Sequence, residues 1–165
     1  MKTLFLIRHA KSDWSIPGLG DFDRPLNQRG YVDAHKMGAY LKSENSGQIL
    51  LASSSAVRAI STALIFAKEI KYPQGKISIH PELYEAEANI YIEILKSTDE
   101  KFESLYIFGH NPTISKVIVL LSGTPMSDVP TCAVTIIKFI TGSWIETIAA
   151  KGTIINQLFP KSLTE

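Results

Sequence analysis

Short apolar runs alternate with amphipathic segments along most of this chain. Apolar runs that end at charged or turn-forming residues predict strands over residues 3–7, 49–52 and 105–108, and the alternation of Ile77 and Ile79 with polar residues predicts a strand over 76–80. Apolar residues at three- and four-residue spacing predict helices after Asn27, after Ser55, over residues 88–97 and after Asn111. We expect Asn27, Ser55 and Asn111 to cap their helices, with Pro112 at a first helical position.

The last third of the chain has a different pattern. Residues 133–140 and 144–149 are rich in β-branched and aromatic residues around the turn Thr141-Gly142-Ser143, which predicts a hairpin. Residues 153–158 favour one more short strand. The element order therefore predicts an α/β fold of three layers (α/β/α), with a mostly parallel central sheet and an antiparallel edge.

Composition and charge narrow the class of protein. The 165 residues are 45% hydrophobic and 20% charged, which is typical of one globular domain, here expected over 1–165. A net charge of +1 gives no reason to expect nucleic acid as a partner. No run of 18 apolar residues and no signal peptide are found, so we expect a cytoplasmic protein without a membrane span. Cys132, alone among apolar neighbours, is expected to be a buried, unreactive thiol.

The predicted strand ends carry the candidate chemistry. Open α/β sheets bind ligands beyond the carboxyl ends of their strands. The first strand ends in Arg8 and His9, the fourth ends at His110, and Arg58 lies in the first turn of the helix after the second strand. A cation at a helix N-terminus is unfavourable unless an anion binds there. The four side chains together predict a site for a dianion the size of phosphate.

Each of these residues taken singly has a structural explanation, as a satisfied histidine or a salt-bridged arginine. Their common placement favours function. A metal site is not expected, because no carboxylate or Cys stands at ligand spacing and the arginines would repel a cation. Nucleotide-binding glycine motifs are absent. A neutral imidazole can attack phosphorus while guanidinium groups neutralise the phosphoryl oxygens, so no cofactor is required.

These motifs resemble a known superfamily. The match is to the histidine phosphatases of phosphoglycerate mutase-like fold, and within them to the small phosphohistidine phosphatases similar to SixA. It is carried by residues 6–12 (with the signature Arg8-His9-Ala10), by Trp14, by residues 21–26, by Gly30, by residues 53–59 with Thr62, and by residues 109–112. The resemblance spans nearly the whole chain.

The resemblance implies specific roles. His9 would be the nucleophile that carries a transient phosphoryl group, and Arg8, Arg58 and His110 would form the phosphate pocket. Larger members of the superfamily place an acidic general acid after the third strand, and Glu85 is the candidate here, with a solvated acidic loop as the alternative. A phosphoramidate nitrogen takes its proton from solvent, so the lack of such an acid would favour phosphohistidine over an ester.

The long connection over residues 11–24 has several interpretations. Lys11 and Ser12 could extend the anion site, although Lys11 also fits a solvated charge. We interpret Asp21, Asp23 and Arg24 as a structural salt-bridged turn, and Tyr84 and Tyr106 as packing residues. Trp14, Ile16, Leu19 and Phe22 give the loop an apolar face that could cover the pocket rim or dock a partner.

The sequence thus predicts a metal-independent phosphatase with a phosphohistidine intermediate. Its expected substrate is phosphohistidine on a partner protein, such as a histidine phosphotransfer domain. A phosphatase of small phosphomonoesters is the alternative within enzymes, and a non-catalytic phosphate- or phosphoprotein-binding module is the alternative outside them.

Overall fold

The computed structural model describes residues 1–44 and 47–163 of the chain. The remaining residues of the predicted domain, 45, 46, 164 and 165, lie outside this description. Strands and helices follow the predicted alternation: β1 Lys2–Arg8, α1 Gln28–Leu41, β2 Ile49–Ser54, α2 Val57–Glu69, β3 Ser78–His80, α3 Ala88–Ser97, β4 Ser104–Gly109, α4 Thr113–Ser122, β5 Val134–Phe139, α5 Thr147–Ala150 and β6 Thr153–Leu158.

The strands form one sheet in the order β3-β2-β4-β1-β5-β6. The first four strands of this order are parallel, and β5 and β6 add an antiparallel edge. The predicted fold class is therefore confirmed. The parallel arrangement places the carboxyl ends of β1, β2 and β4 side by side.

Two apolar cores cover the two faces of the sheet. Leu4 and Leu6 of β1 pack in a core with residues of α3 and α4, while Phe5 and Ile7 pack in the other with residues of α1 and α2. Successive side chains of a strand point to opposite faces, so burial on both faces explains why this run is continuously apolar. Within the described residues, no helix is long and apolar enough to cross a membrane.

Two of the predicted helix starts are shifted by one residue. Asn27 caps α1 as predicted, since its side chain accepts from the Gly30 N–H. The predicted cap Ser55 is wrong, because α2 starts after Ala56, whose N–H donates to Ser54 Oγ at 3.3 Å. The predicted cap Asn111 is also wrong. Pro112 takes the cap position of α4, and the Asn111 amide instead donates to side chains beyond the helix start.

The predicted hairpin partner is wrong as well. Residues 144–149 do not form a strand, and β5 pairs instead with β6, the short strand predicted over 153–158. Trp144 is fully buried, its indole N–H donates to the Phe102 carbonyl, and its backbone N–H donates to Glu100. These bonds tie the segment to the loop before β4. The third strand is also shorter than predicted, because 74–76 form a 3-10 turn.

Candidate active site

Arg8, His9, Arg58 and His110 converge at the carboxyl end of the parallel strands. Arg8 pairs in register with Gly109, so the residues that follow them lie side by side. The His9 N–H donates to the Gly109 carbonyl at 3.0 Å, and the centroids of the His9 and His110 rings are 5.1 Å apart. The sequence-based prediction that these groups share one sheet edge agrees with this geometry.

The His9 ring is held at both nitrogens. Nδ1 lies 2.7 Å from the Ala10 carbonyl, which only accepts, so Nδ1 carries the proton in the neutral ring. Nε2 then accepts from Arg58 Nε at 3.2 Å. Burial lowers the pKa of His9 to about 3, and the charges of Arg58 and Arg8 act in the same direction. The ring is therefore neutral at physiological pH, with the lone pair of Nε2 directed toward Arg58.

Thr62 joins the His9 segment to the helix that carries Arg58. Its hydroxyl donates to the Arg58 carbonyl at 2.7 Å and accepts from the Ala10 N–H at 2.9 Å. Thr62 is fully buried, so both bonds are shielded from water. This link fixes the distance between the end of β1 and the start of α2.

His110 is positioned from two other elements. Its backbone N–H donates to the Tyr91 hydroxyl of α3 at 3.2 Å, and its Nε2 lies 2.8 Å from Ser54 Oγ at the end of β2. Burial, and then the charge of Arg58, lower the pKa of His110 to about 4. Gly109 is required here, because a Cβ at this position would lie 1.9 Å from the Tyr91 hydroxyl.

Arg8 is anchored on the segment between α4 and β5. Its Nη1 donates to the Val129 carbonyl at 2.5 Å and to Asp128 at 3.3 Å, and the Asn111 amide donates to the same carboxylate at 2.6 Å. Arg8 Nε and His110 Nδ1 are buried, and neither has a hydrogen-bond partner within the described part of the chain. Buried polar atoms without a partner are uncommon in folded proteins, and both atoms belong to residues of the predicted phosphate site.

Asp21 is a site residue that the sequence interpretation missed. Arg58 donates to its carbonyl at 2.6 Å and to its carboxylate at 3.0 Å, and the Tyr84 hydroxyl donates to that carboxylate at 2.8 Å. The expected ion pair with Arg24 is present at 2.6 Å, and the Tyr84 ring packs edge-on against Phe22 with centroids 5.0 Å apart. Both the structural-turn and the packing interpretations are therefore incomplete, because neither included the bonds to Arg58 and Asp21. No sequence signal linked these residues to Arg58, because turn acids and tyrosines are common everywhere.

The convergent side chains line a cavity of about 740 Å³. Lys11, Ser12 and Glu85 also line it, as does the exposed ring of Trp14. Ser12 is buried and accepts from Arg24, whereas Glu85 is exposed and has a left-handed backbone (φ 54°). The placement of these three residues at the cavity is compatible with their predicted roles, which stay predictions.

A buried thiol and the possibility of a metal site also affect which reactions the cavity can support. Cys132 is fully buried behind the site, and burial raises the pKa of its thiol, as expected for an unreactive cysteine. Over residues 1–44 and 47–163, no cluster of three or more His, Cys, Asp or Glu side chains could hold a metal ion. The positive charge that lines this cavity comes from arginine and lysine side chains, with Arg8 and Arg58 beside the two histidines.

The amino-acid sequence matches a known family and a distant relative. The model of the histidine phosphatase superfamily (branch 1) matches residues 4–103. An uncharacterised chloroplastic protein of Arabidopsis thaliana is 27% identical over 159 residues, covering 92% of this chain and 72% of that protein.

Two solved structures share the fold. One is a protein of Agrobacterium tumefaciens assigned as the phosphohistidine phosphatase SixA, with a TM-score of 0.79, 23% identity, and coverage of 96% of this chain and 98% of that one. The other is the protein histidine phosphatase SixA in complex with tungstate, with a TM-score of 0.80, 20% identity, and coverage of 98% and 99%.

Proposed function

The chain belongs to the histidine phosphatase superfamily and is a phosphatase, and from this premise we propose that it hydrolyses protein phosphohistidine through a phosphoryl intermediate on His9. One observation carries the proposal. His9 is neutral, Nδ1 is committed to the Ala10 carbonyl, and Nε2 alone is left as the nucleophilic nitrogen beside Arg58.

The first step is attack of His9 Nε2 on phosphorus. The bond from phosphorus to the leaving atom breaks, and the phosphoryl group moves to the imidazole. Arg8, anchored on Val129, and Arg58, anchored on Asp21, stabilise the charge that spreads over the phosphoryl oxygens in the transition state. The Ala10 carbonyl accepts the hydrogen bond from the Nδ1–H throughout, which stabilises the cationic ring of phosphorylated His9.

The second step is hydrolysis of the intermediate. Water attacks phosphorus, the P–N bond to His9 breaks, and inorganic phosphate leaves. His110 has a low pKa and is neutral at physiological pH, so it acts as a hydrogen-bonding group rather than as a cation. Guanidinium groups supply the charge neutralisation that a metal ion supplies in other phosphoryl-transfer enzymes, so we propose turnover without a metal.

A protein-borne substrate is favoured by the form of the site. No helical insertion covers the cavity between β3 and α3, where a short turn over residues 81–83 is followed directly by the residues of the rim. Exposed Trp14 and Phe22 lie on the loop that borders the cavity. The tungstate complex of a structural neighbour supports a tetrahedral oxyanion as the ligand, and that neighbour is a protein histidine phosphatase.

Hydrolysis of small phosphomonoesters is the second candidate. It is favoured by Glu85, which lines the cavity from an exposed position where a carboxylic acid could protonate an ester oxygen. A phosphohistidine needs no such acid.

The test is a comparison of substrates in the presence of EDTA. We expect phosphate release from a phosphohistidine-bearing phosphotransfer domain at a higher kcat/KM than from a panel of small esters, and loss of both activities in His9→Ala. Preference for the esters would reject the substrate proposal. Binding of phosphate with no turnover on any substrate would reject catalysis and favour a binding module.

A further inference from the structure

Asp21 places a negative charge in the wall of the cavity, directly beside the Arg58 guanidinium. Its carboxylate accepts from Arg58 Nη2 at 3.0 Å, from Arg24 Nη2 at 2.6 Å and from the Tyr84 hydroxyl at 2.8 Å. The side chain remains 46% exposed, whereas that of Arg58 is 7% exposed. Asp21 therefore lies between the guanidinium floor of the site and its mouth.

This carboxylate is unsuited to donate a proton. Burial opposes its ionisation, but the hydrogen bonds from Arg24 and Tyr84 and the charge of Arg58 hold the pKa of Asp21 well below its usual range. At physiological pH it is a permanent anion. Its effect on a reaction in the cavity is thus electrostatic, and it depends on the charge of the group that departs from phosphorus.

We propose that Asp21, supported by Tyr84, selects substrates whose leaving group is a cationic nitrogen and discriminates against phosphate esters. This inference rests on the proposed function and names the residue that determines its substrate class. Asp21 and Tyr84 line the same cavity as His9, and Asp21 bonds to the Arg58 side chain that contacts His9 Nε2, so a leaving group that departs into the cavity after attack by Nε2 passes near the Asp21 carboxylate.

The two leaving groups differ in charge. In a phosphohistidine, a proton from solvent adds to the ring nitrogen remote from phosphorus and makes the ring a cation. The P–N bond then breaks, its electron pair stays on the leaving nitrogen, and the ring departs as neutral imidazole. Until that bond is fully broken the ring keeps part of its positive charge, which the Asp21 carboxylate stabilises.

In a phosphate ester, the charge that develops on the leaving atom has the opposite sign. When its P–O bond breaks, the electron pair stays on oxygen and negative charge develops there. A neighbouring carboxylate raises the energy of that transition state. The Tyr84 ring, which lies edge-on to His110 with centroids 5.8 Å apart, adds an aromatic surface that suits a cationic ring better than an oxyanion.

The test compares Asp21→Asn with the wild type on free phosphohistidine and on an aryl phosphate ester. The asparagine keeps the shape and one acceptor but removes the charge. We expect kcat/KM to fall about fivefold on phosphohistidine and to rise about threefold on the ester, since one charge at this range changes a transition state by amounts of that order. Opposite directions cannot come from loss of structure alone.

Two further variants make the result decisive. Asp23→Asn alters an exposed carboxylate in the same 3-10 turn, outside the residues that line the cavity, and should leave both rates unchanged. Asp21→Glu keeps the charge and should keep the preference for phosphohistidine even if both rates fall.

The outcomes separate this inference from the proposed function. The role of Asp21 would be overturned if Asp21→Asn lowered kcat/KM equally on both substrates. It would also be overturned if Asp21→Glu showed the same substrate selectivity as Asp21→Asn. In both cases the wild type would still prefer phosphohistidine. A wild type that prefers esters would instead overturn the proposed function.

Discussion

Arg58 and His9 meet through one hydrogen bond, from Nε of the guanidinium to Nε2 of the imidazole, 3.2 Å long. The bond joins the first turn of α2 to the residue after β1, and the two residues are 49 positions apart in sequence. It also places a guanidinium cation beside the nitrogen that we assign as the nucleophile. A cation there favours the unprotonated ring and then receives the phosphoryl oxygens.

We predict that Arg58→Lys will reduce kcat/KM by at least about a hundredfold, because lysine lacks the Nε donor and the planar fork that holds Asp21 and the phosphoryl oxygens together. Steady-state kinetics on free phosphohistidine would measure the loss, with circular dichroism as the control for folding. Activity within a few-fold of wild type in a folded variant would show that the fork is not needed.

The low pKa values of His9 and His110 predict a dependence of stability on pH. Each ring charges at a pKa of about 6.5 when unfolded but only near pH 3 to 4 when folded. Between these values the unfolded state binds more protons, so the free energy of unfolding falls as pH decreases from 6.5 toward 4. Each ring contributes a slope of up to about 1.4 kcal/mol per pH unit.

Denaturant unfolding of the wild type and of His9→Gln at several pH values would measure this effect. The glutamine does not titrate, so the stability of the variant should decline less steeply over that interval. Identical slopes for the two proteins would mean that the folded His9 ring titrates normally.

Trp14 is predicted to contact a protein substrate rather than the phosphoryl group. Its ring is 77% exposed and stacks on Arg24, with the guanidinium carbon 3.4 Å from the ring centroid. We expect Trp14→Ala to lower kcat/KM about tenfold on a phosphohistidine-bearing protein but less than about twofold on free phosphohistidine, as for an aromatic residue in an interface.

Ile140→Ala is the matched control for this prediction. Ile140 is 90% exposed and follows Phe139, which pairs with Lys2 at the end of β1 away from the site. It should affect neither substrate. If Trp14→Ala lowered kcat/KM equally on both substrates, the indole would act in the catalytic site and not in docking of a protein.

Gly109 is predicted to be intolerant of a side chain. Its Cβ would lie 1.9 Å from the Tyr91 hydroxyl, the group that accepts from the His110 N–H. We expect Gly109→Ala to displace His110 and to reduce kcat at least about tenfold. In the double variant with Tyr91→Phe, which removes the clashing oxygen, part of the lost thermal stability should return. If the double variant recovered no thermal stability, the strain in Gly109→Ala would not come from contact with the Tyr91 hydroxyl.

The sequence carried enough information for the parallel part of the sheet and for the four central side chains. Each buried strand has a continuous apolar run, and Arg8, His9, Arg58 and His110 follow strands whose carboxyl ends must meet in a parallel sheet. Topology alone brings these residues together, so no knowledge of loop conformation was needed.

Loop conformation explains what the sequence could not predict. Asp21 reaches Arg58 only because residues 11–24 fold back over the cavity, and that path depends on long-range contacts such as the pairing of Ser12 with Leu26. The hairpin error has a similar origin, since burial of Trp144 against Phe102 outweighs the local β-preference of its segment.

The phosphorylated enzyme can be trapped, and this measurement decides whether His9 is the nucleophile. The protein would be mixed with phosphohistidine substrate labelled at phosphorus, quenched within milliseconds in alkali, and mapped by mass spectrometry. We predict an alkali-stable, acid-labile phosphoryl group on His9, absent from His9→Ala and formed equally in EDTA. Turnover that proceeds with no phosphoryl group on His9, or that persists in His9→Ala, would contradict the mechanism.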